Sequence, residues 1–66
     1  MNDTTSIVLS MMLRMAAKLR KRTPWTTDEA RGYFFENADC DQVSEEMEWN
    51  VDWGFIADSL NERRNA

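Results

Sequence analysis

A single proline and the capping signal behind it do most to limit how this chain can fold. Pro24 disfavours helical geometry at Thr23, so a helix arriving from the N-terminal side has to end there. Just beyond the proline, Thr26 and Glu29 have the spacing of a capping box, in which the threonine caps a new helix and the glutamate bonds back to it. The sequence therefore predicts two helices with a short break at residues 23–26.

Capping residues and the spacing of apolar side chains predict the other helix boundaries. We expect helices over about 4–22, 27–38, 41–49 and 51–64, with Asn50 as the cap of the last one. The stretch 41–49 is either a short helix or a loosely helical connection, and 41–64 can be read as one helix or two. No strand is expected. The prediction is a single all-α domain of three to four short helices in a small bundle, covering residues 1–66.

A chain of this size needs additional stabilisation. A core built from 66 residues seldom leaves more than about 3–5 kcal/mol of net stability. With one cysteine, Cys40, and no histidine, neither a disulfide nor a zinc site is available, and no cofactor or metal is predicted. Association with a second copy or another protein is the remaining remedy, and we expect a homodimer.

The first predicted helix is the best candidate for that association. Its apolar side chains cover an arc of about 200°, which is wider than one neighbouring helix covers. Methionines are frequent on this arc, and their flexible thioether side chains suit binding surfaces, although they also fill irregular cores. The helix can therefore be a dimer seam, a groove for a partner helix or simply core. The predicted self-association residues are Ile7, Val8, Met11, Met12, Met15 and Leu19.

Charge is divided unevenly along the chain. Residues 1–23 carry a net charge of +4 and residues 24–66 a net charge of −8. The end of the first helix holds the possible phosphate contacts Lys18, Arg20, Lys21 and Arg22. The predicted helix that follows, 41–49, offers mainly carboxylates, which do not suit a DNA-reading helix. These cations can equally complement the negative end of the first helix and pair with the acidic half.

The acidic half has several interpretations. Seven carboxylates and no cation lie between Glu36 and Asp52. A calcium loop starting at Asp39 is excluded, because Ser44 stands where that loop needs glycine. The carboxylates can mimic DNA towards a cationic protein, bind a partner directly or serve only as a solvated face. The predicted partner-binding residues are Trp49, Trp53, Glu45, Glu46 and Glu48, because tryptophan is a frequent interface anchor and the chain has more aromatic rings than a small core easily encloses.

Catalysis and membrane insertion are not expected. Without histidine, neither Cys40 nor a serine has the usual base partner, and a domain this small has little room for a substrate cleft. The apolar stretch near the N-terminus is interrupted by Arg14 and has its positive charges after it, opposite to a secretion signal. Together with the free cysteine, this predicts a cytoplasmic protein that is not an enzyme and has no membrane partner.

In size, charge and histidine-free helical character, the chain resembles the small accessory proteins that phages and other mobile elements encode in their early regions. The capping box at Thr26 to Glu29 and the methionine-rich face at Met11 to Met15 are its main features. The resemblance is one of style and implies an inhibitor, adaptor or regulator of a host or phage protein. We therefore expect a small acidic protein-binding regulator, with a nucleic-acid-associated regulator or a DNA-mimic inhibitor as the alternatives.

Overall fold

The computed structural model of the protein describes residues 3–64. Its helices are α1 (Asp3–Met15), α2 (Thr27–Asn37), α3 (Met47–Asn50) and α4 (Trp53–Arg64). A 3₁₀ turn, Ala16–Lys18, follows α1, and another, Cys40–Gln42, lies between α2 and α3. No strand occurs within residues 3–64, so the all-α prediction is confirmed.

Helix α4 lies against both of the other long helices. The backbone N–H of Asp52, just before α4, donates to Thr5 Oγ1 near the start of α1 at 3.1 Å. Leu13, near the end of α1, and Arg63, near the end of α4, line the same groove, so the two helices run in parallel. Helix α2 runs the other way, because Trp25 before it bonds to Asn61 at the end of α4.

The core fills the space between these helices. It joins side chains that are fully or almost fully buried, namely Val8, Met11, Met12, Trp25, Ala30, Phe34, Val51, Trp53, Ile56, Ala57 and Leu60. The rings of Phe34 and Phe35 pack against Trp53, with centroids 5.6 and 5.8 Å away. The end of α2 is thereby fixed to the start of α4, and this contact sets the position of the connection between them.

The capping box at the start of α2 is confirmed. Thr26 Oγ1 accepts from the backbone N–H of Glu29 at 3.1 Å, and Glu29 Oε1 accepts from the backbone N–H of Thr26 at 3.3 Å. Two donors that the helix leaves without partners are satisfied by this exchange. The start of α2 is therefore where the sequence predicted it, and α2 ends one residue before the predicted position 38.

The predicted extent of the first helix, to residue 22, is wrong. Helix α1 ends at Met15, tightens into the 3₁₀ turn and gives way to extended backbone at Leu19, with ψ of 128°. The carbonyls of Lys21 and Arg22 accept hydrogen bonds from Arg64. Contacts with the far end of the chain therefore override the local helix signal, and residues 19–26 reach α2 without helical structure, extended at Leu19 and Thr26 and bent at residues 22 and 23.

The predicted helix over 41–49 is replaced by two single helical turns. Between the turns, Val43 is extended, with φ of −108° and ψ of 134°, and packs half-buried against the core. Helical backbone at that residue would direct the chain away from this contact. The residues before it, Asn37 to Gln42, are mostly poor helix formers, so little opposes the break. The alternative of a loosely helical connection is the one the structure adopts.

The last helix begins at Trp53 and not at residue 51, and its cap is Asp52 in place of the predicted Asn50. Asp52 Oδ1 accepts from the backbone N–H of Phe55 at 3.1 Å, as an N-cap does. Val51 is extended and buried in the core, which excludes it from the helix. Burial of one valine thus moves the helix start by two residues.

Candidate functional site

Half of the predicted self-association residues belong to the core of the chain itself. Val8 and Met12 are fully buried and Met11 nearly so. Helix α1 contacts both α3 and α4, so two neighbours from the same chain cover much of its wide apolar arc. In this fold these three side chains do not face a partner, and the methionines Met11 and Met12 act as core filler.

The other half of that set remains accessible to different degrees. Ile7 is 57% exposed and Leu19 is 45% exposed, while Met15 is half-buried against the core. Ile7 lies within α1, whereas Leu19 belongs to the extended segment after it. These residues therefore do not form the continuous helical stripe that the sequence predicts, because the helix ends before Leu19.

The two predicted partner-binding tryptophans have opposite environments. Trp53 is 4% exposed, and its Nε1–H donates to the carbonyl of Met47 at 3.0 Å, so both its ring and its polar atom are satisfied inside the protein. Trp49, on α3, is 68% exposed. Trp49 therefore lies on the surface, where it can reach a partner, whereas Trp53 belongs to the core.

The surface around Trp49 combines acidic and apolar groups. Glu45, Glu46 and Glu48 are all exposed, and Glu45 and Glu48 line a cleft of about 450 Å³ with Phe35 and Val43. We call Glu45, Glu46, Glu48 and Trp49 the acidic face. It joins carboxylates to an exposed indole near a cleft that has both apolar and polar lining, which suits a cationic partner with an apolar patch.

Lys21, one of the four predicted phosphate contacts, is engaged within the protein. Its Nζ donates to Glu29 Oε2 at 2.7 Å and to Thr23 Oγ1 at 3.0 Å, and it lies 5.3 Å from the centroid of the Trp25 ring. The hydrogen bond from Lys21 is the main reason that the pKa of Glu29 is lowered, and the Thr26 backbone N–H adds to it. Lys21 thus holds the extended segment onto the start of α2.

The other end of the chain fastens the same segment. The backbone N–H of Trp25 donates to Asn61 Oδ1 at 2.7 Å, and Asn61 Nδ2 donates to the carbonyl of Trp25 at 3.1 Å. Arg64 Nη2 donates to the carbonyl of Arg22 at 2.7 Å, and Arg64 Nε to that of Lys21 at 3.3 Å. The side chains at the end of α4 therefore satisfy backbone groups of this segment that a helix or a sheet would otherwise pair.

These contacts shape a groove of about 410 Å³ at the shared C-terminal end of α1 and α4. We call it the basic groove. Its apolar lining consists of Leu13, Ala16, Ala17, Leu19, Trp25 and Leu60, and its basic lining of Arg20, Lys21, Arg63 and Arg64. Two adjacent alanines leave room where longer side chains would fill the space. The structure therefore places Arg20 and Lys21 together on the groove, while Lys18 and Arg22 are exposed outside its lining.

Sequence reasoning missed the contribution of Arg63 and Arg64 to this cluster. They lie at the end of the predicted helix 51–64, about forty residues from the other cations along the chain. The parallel packing of α1 and α4 is what brings them to Arg20 and Lys21. Asn61 is the sequence signal for this packing. It lies at the edge of the helix face that carries the apolar residues Ile56 and Leu60, where a polar side chain needs a hydrogen-bond partner, and that partner is the backbone of Trp25.

Neither a metal site nor a membrane-spanning helix is found among residues 3–64. No group of three or more acidic or cysteine side chains there is arranged to hold a metal ion. None of the helices in this range has the length and apolar character needed to cross a membrane.

Comparison of the chain with models of protein families, with curated protein sequences and with solved structures gives no match.

Proposed function

We propose that the protein is a regulator that binds another protein through the acidic face, with Trp49 as the anchor. The observation that carries this proposal is the 68% exposure of Trp49 in a stretch with seven carboxylates and no cation. An exposed tryptophan of this kind is costly to leave in water and is a common energetic centre of protein interfaces. The partner surface would be cationic with an apolar recess.

The mode of action would be stoichiometric binding and not catalysis. Carboxylates around the anchor attract a cationic surface from a distance and fix its orientation, while burial of the indole supplies much of the affinity. A DNA-mimic inhibitor is the special case in which the cationic partner surface is itself a nucleic-acid site. The resemblance to phage accessory proteins makes a host or phage protein the natural partner class, acting in the cytoplasm.

The alternative of a nucleic-acid-associated regulator has less support. Lys21 is engaged by Glu29, and the guanidinium of Arg64 is engaged by backbone carbonyls. Of the other predicted phosphate contacts, Arg20 lines a groove with an apolar lining, which phosphates do not need, and Lys18 and Arg22 are exposed outside that lining.

Affinity capture with matched variants tests the proposal. The wild-type chain and Ile7→Ala, which trims an exposed apolar side chain elsewhere, should capture the same partner in equal amounts. Trp49→Ala, and separately Glu45→Lys with Glu48→Lys, should lose it. With the purified partner, Trp49→Ala should weaken binding by about 30-fold or more, and affinity should fall with salt. Equal capture by Trp49→Ala and wild type would refute the proposal.

A further inference from the structure

The basic groove and the acidic face lie at opposite ends of the pair formed by α1 and α4. The groove is lined by Leu13 of α1 and by Leu60 and Arg63 of α4, which belong to the C-terminal halves of those helices. The acidic face belongs to the connection that enters α4, where Asp52 bonds to Thr5 of α1. The two ends of this helix pair therefore carry surfaces of opposite charge.

The two surfaces are also complementary in detail. The groove offers an apolar lining with cations, and the acidic face offers one exposed indole among three carboxylates. Arg20 and Arg63 are both exposed, so their guanidinium groups are accessible to carboxylates of an incoming protein. The acidic face therefore presents the same chemistry that the groove would select in a partner.

We propose that the basic groove is a docking site for the acidic face of a second copy of this chain, with Trp49 of one copy on the apolar lining of the next. This inference rests on the proposed function, because it uses the same anchor, and it adds the site that receives it. Docking would bury the exposed indole and bring Glu45 and Glu48 towards Arg20 and Arg63. It also supplies the apolar burial that a 66-residue chain lacks.

The geometry of the contact determines the form of the assembly. The acidic face and the basic groove lie at opposite ends of each copy. Two docked copies therefore still have an unoccupied groove at one end and an unoccupied acidic face at the other. Such a contact is head-to-tail and not self-complementary, so it continues past two copies unless a rotation closes it into a ring. This differs from the symmetric α1 seam expected from the sequence, whose central residues are in the core.

Self-docking would also compete with the regulatory partner for Trp49. A partner that binds Trp49 more tightly than the basic groove does would dissociate the self-assembled protein. Conversely, a high concentration of the protein itself would weaken capture of that partner. The self-associated form and the partner-bound form would then differ only in which protein covers the indole of Trp49.

Variants with reversed charges test the proposal. The mass of each assembly is measured by sedimentation velocity at low salt, over a series of protein concentrations. The wild-type mass should rise with concentration beyond two chains. A groove variant, Arg20→Glu with Arg63→Glu, and a face variant, Glu45→Lys with Glu48→Lys, should each remain monomeric. Mixed together they should assemble again, because the intact face of one variant fits the intact groove of the other, and the two charge-reversed surfaces are also opposite in charge.

Two controls separate this proposal from its alternatives. Arg14→Glu with Lys18→Glu has the same charge change away from the groove and should assemble as the wild type does, while Trp49→Ala should weaken assembly by about 30-fold. A monomeric wild type together with no complex in the mixture would overturn the proposal, as would groove-dependent binding of a labelled duplex by a monomer. Partner capture through Trp49 can survive either result, so failure here is distinct from failure of the proposed function.

Discussion

Two connections link the long helices, and they are held in different ways. Residues 19–26 are fastened by side chains from the far end of the chain, with Asn61 bonding to the backbone of Trp25 on both sides. Residues 38–52 rest mainly on local turns and on single bonds, such as the one from Asp52 to Thr5. The first connection uses its polar atoms to complete the fold, whereas the second leaves its carboxylates and one tryptophan exposed.

This difference indicates how a small domain divides its surface between stability and binding. Where side chains bond within the chain, as Arg64 does to the carbonyl of Lys21 and as Lys21 does to the carboxylate of Glu29, those groups are committed to the fold. Where a few buried residues such as Val51 and Trp53 suffice to hold a connection, the residues between them remain available.

Trp49 of the second connection and Trp53, the first residue of α4, should give the largest difference. Trp53→Ala removes a buried ring and should cost about 3–5 kcal/mol, which is close to the whole stability of a domain this size. Trp49→Ala should change the free energy of unfolding by less than about 0.5 kcal/mol, because its ring is exposed. Urea denaturation followed by circular dichroism measures both. A comparable loss in the two variants would mean that Trp49 is part of the fold.

Asn61→Ala should release the first connection. It removes the partner of both the N–H and the carbonyl of Trp25, for an expected cost of about 1–3 kcal/mol. Amide hydrogen exchange should accelerate over residues 19–26 before the helices open. Asn37→Ala is the matched control, since Asn37 donates only to the exposed end of α2 and should lose little. Unchanged exchange over 19–26 would show that Arg64 and Lys21 hold this segment alone.

Thr5→Val should loosen the second connection by a smaller amount. The substitution keeps the buried shape but removes the acceptor of the Asp52 N–H, at a cost of about 1 kcal/mol. Faster exchange is expected at residues 51–55 and not at 19–26, opposite to the Asn61 variant. Thr4→Val, one residue earlier and only partly buried, is the control. Similar exchange patterns in the Thr5 and Asn61 variants would remove the distinction between the two connections.

The smallest expected effect is on the stability of the protein at acidic pH. The pKa of Glu29 is lowered from its ordinary value of 4.5, chiefly by the hydrogen bond from Lys21. Its contribution to stability is therefore complete above pH 4.5 and is lost as pH falls through the lowered pKa of the folded state. Because the carboxylate is solvent-exposed, the change is modest. Glu29→Gln should reduce the loss of stability between pH 5 and pH 3, measured by denaturant midpoints, whereas Glu62→Gln should follow the wild type.

Local signals in the sequence predicted what depends on local chemistry. The Thr26 to Glu29 box fixed the start of α2, and the apolar spacing predicted an all-α fold. Helix ends that depend on distant contacts were predicted wrongly. The first helix ends earlier than predicted, and Arg64 donates hydrogen bonds to backbone carbonyls in the segment after it. The last helix begins later than predicted, because Val51 is buried in the core. The basic groove was beyond prediction for the same reason, since half of its cations come from the other end of the chain.

The pairing of the first helix with the last also has a consequence during synthesis on the ribosome. Val8 and Met12 pack in a core completed by Ile56 and Leu60, residues made more than forty positions later. Until α4 leaves the exit tunnel, this apolar face lacks its contacts with α4, and the core between the two helices cannot form. A chain truncated before α4 would therefore expose these core residues to chaperones and proteases.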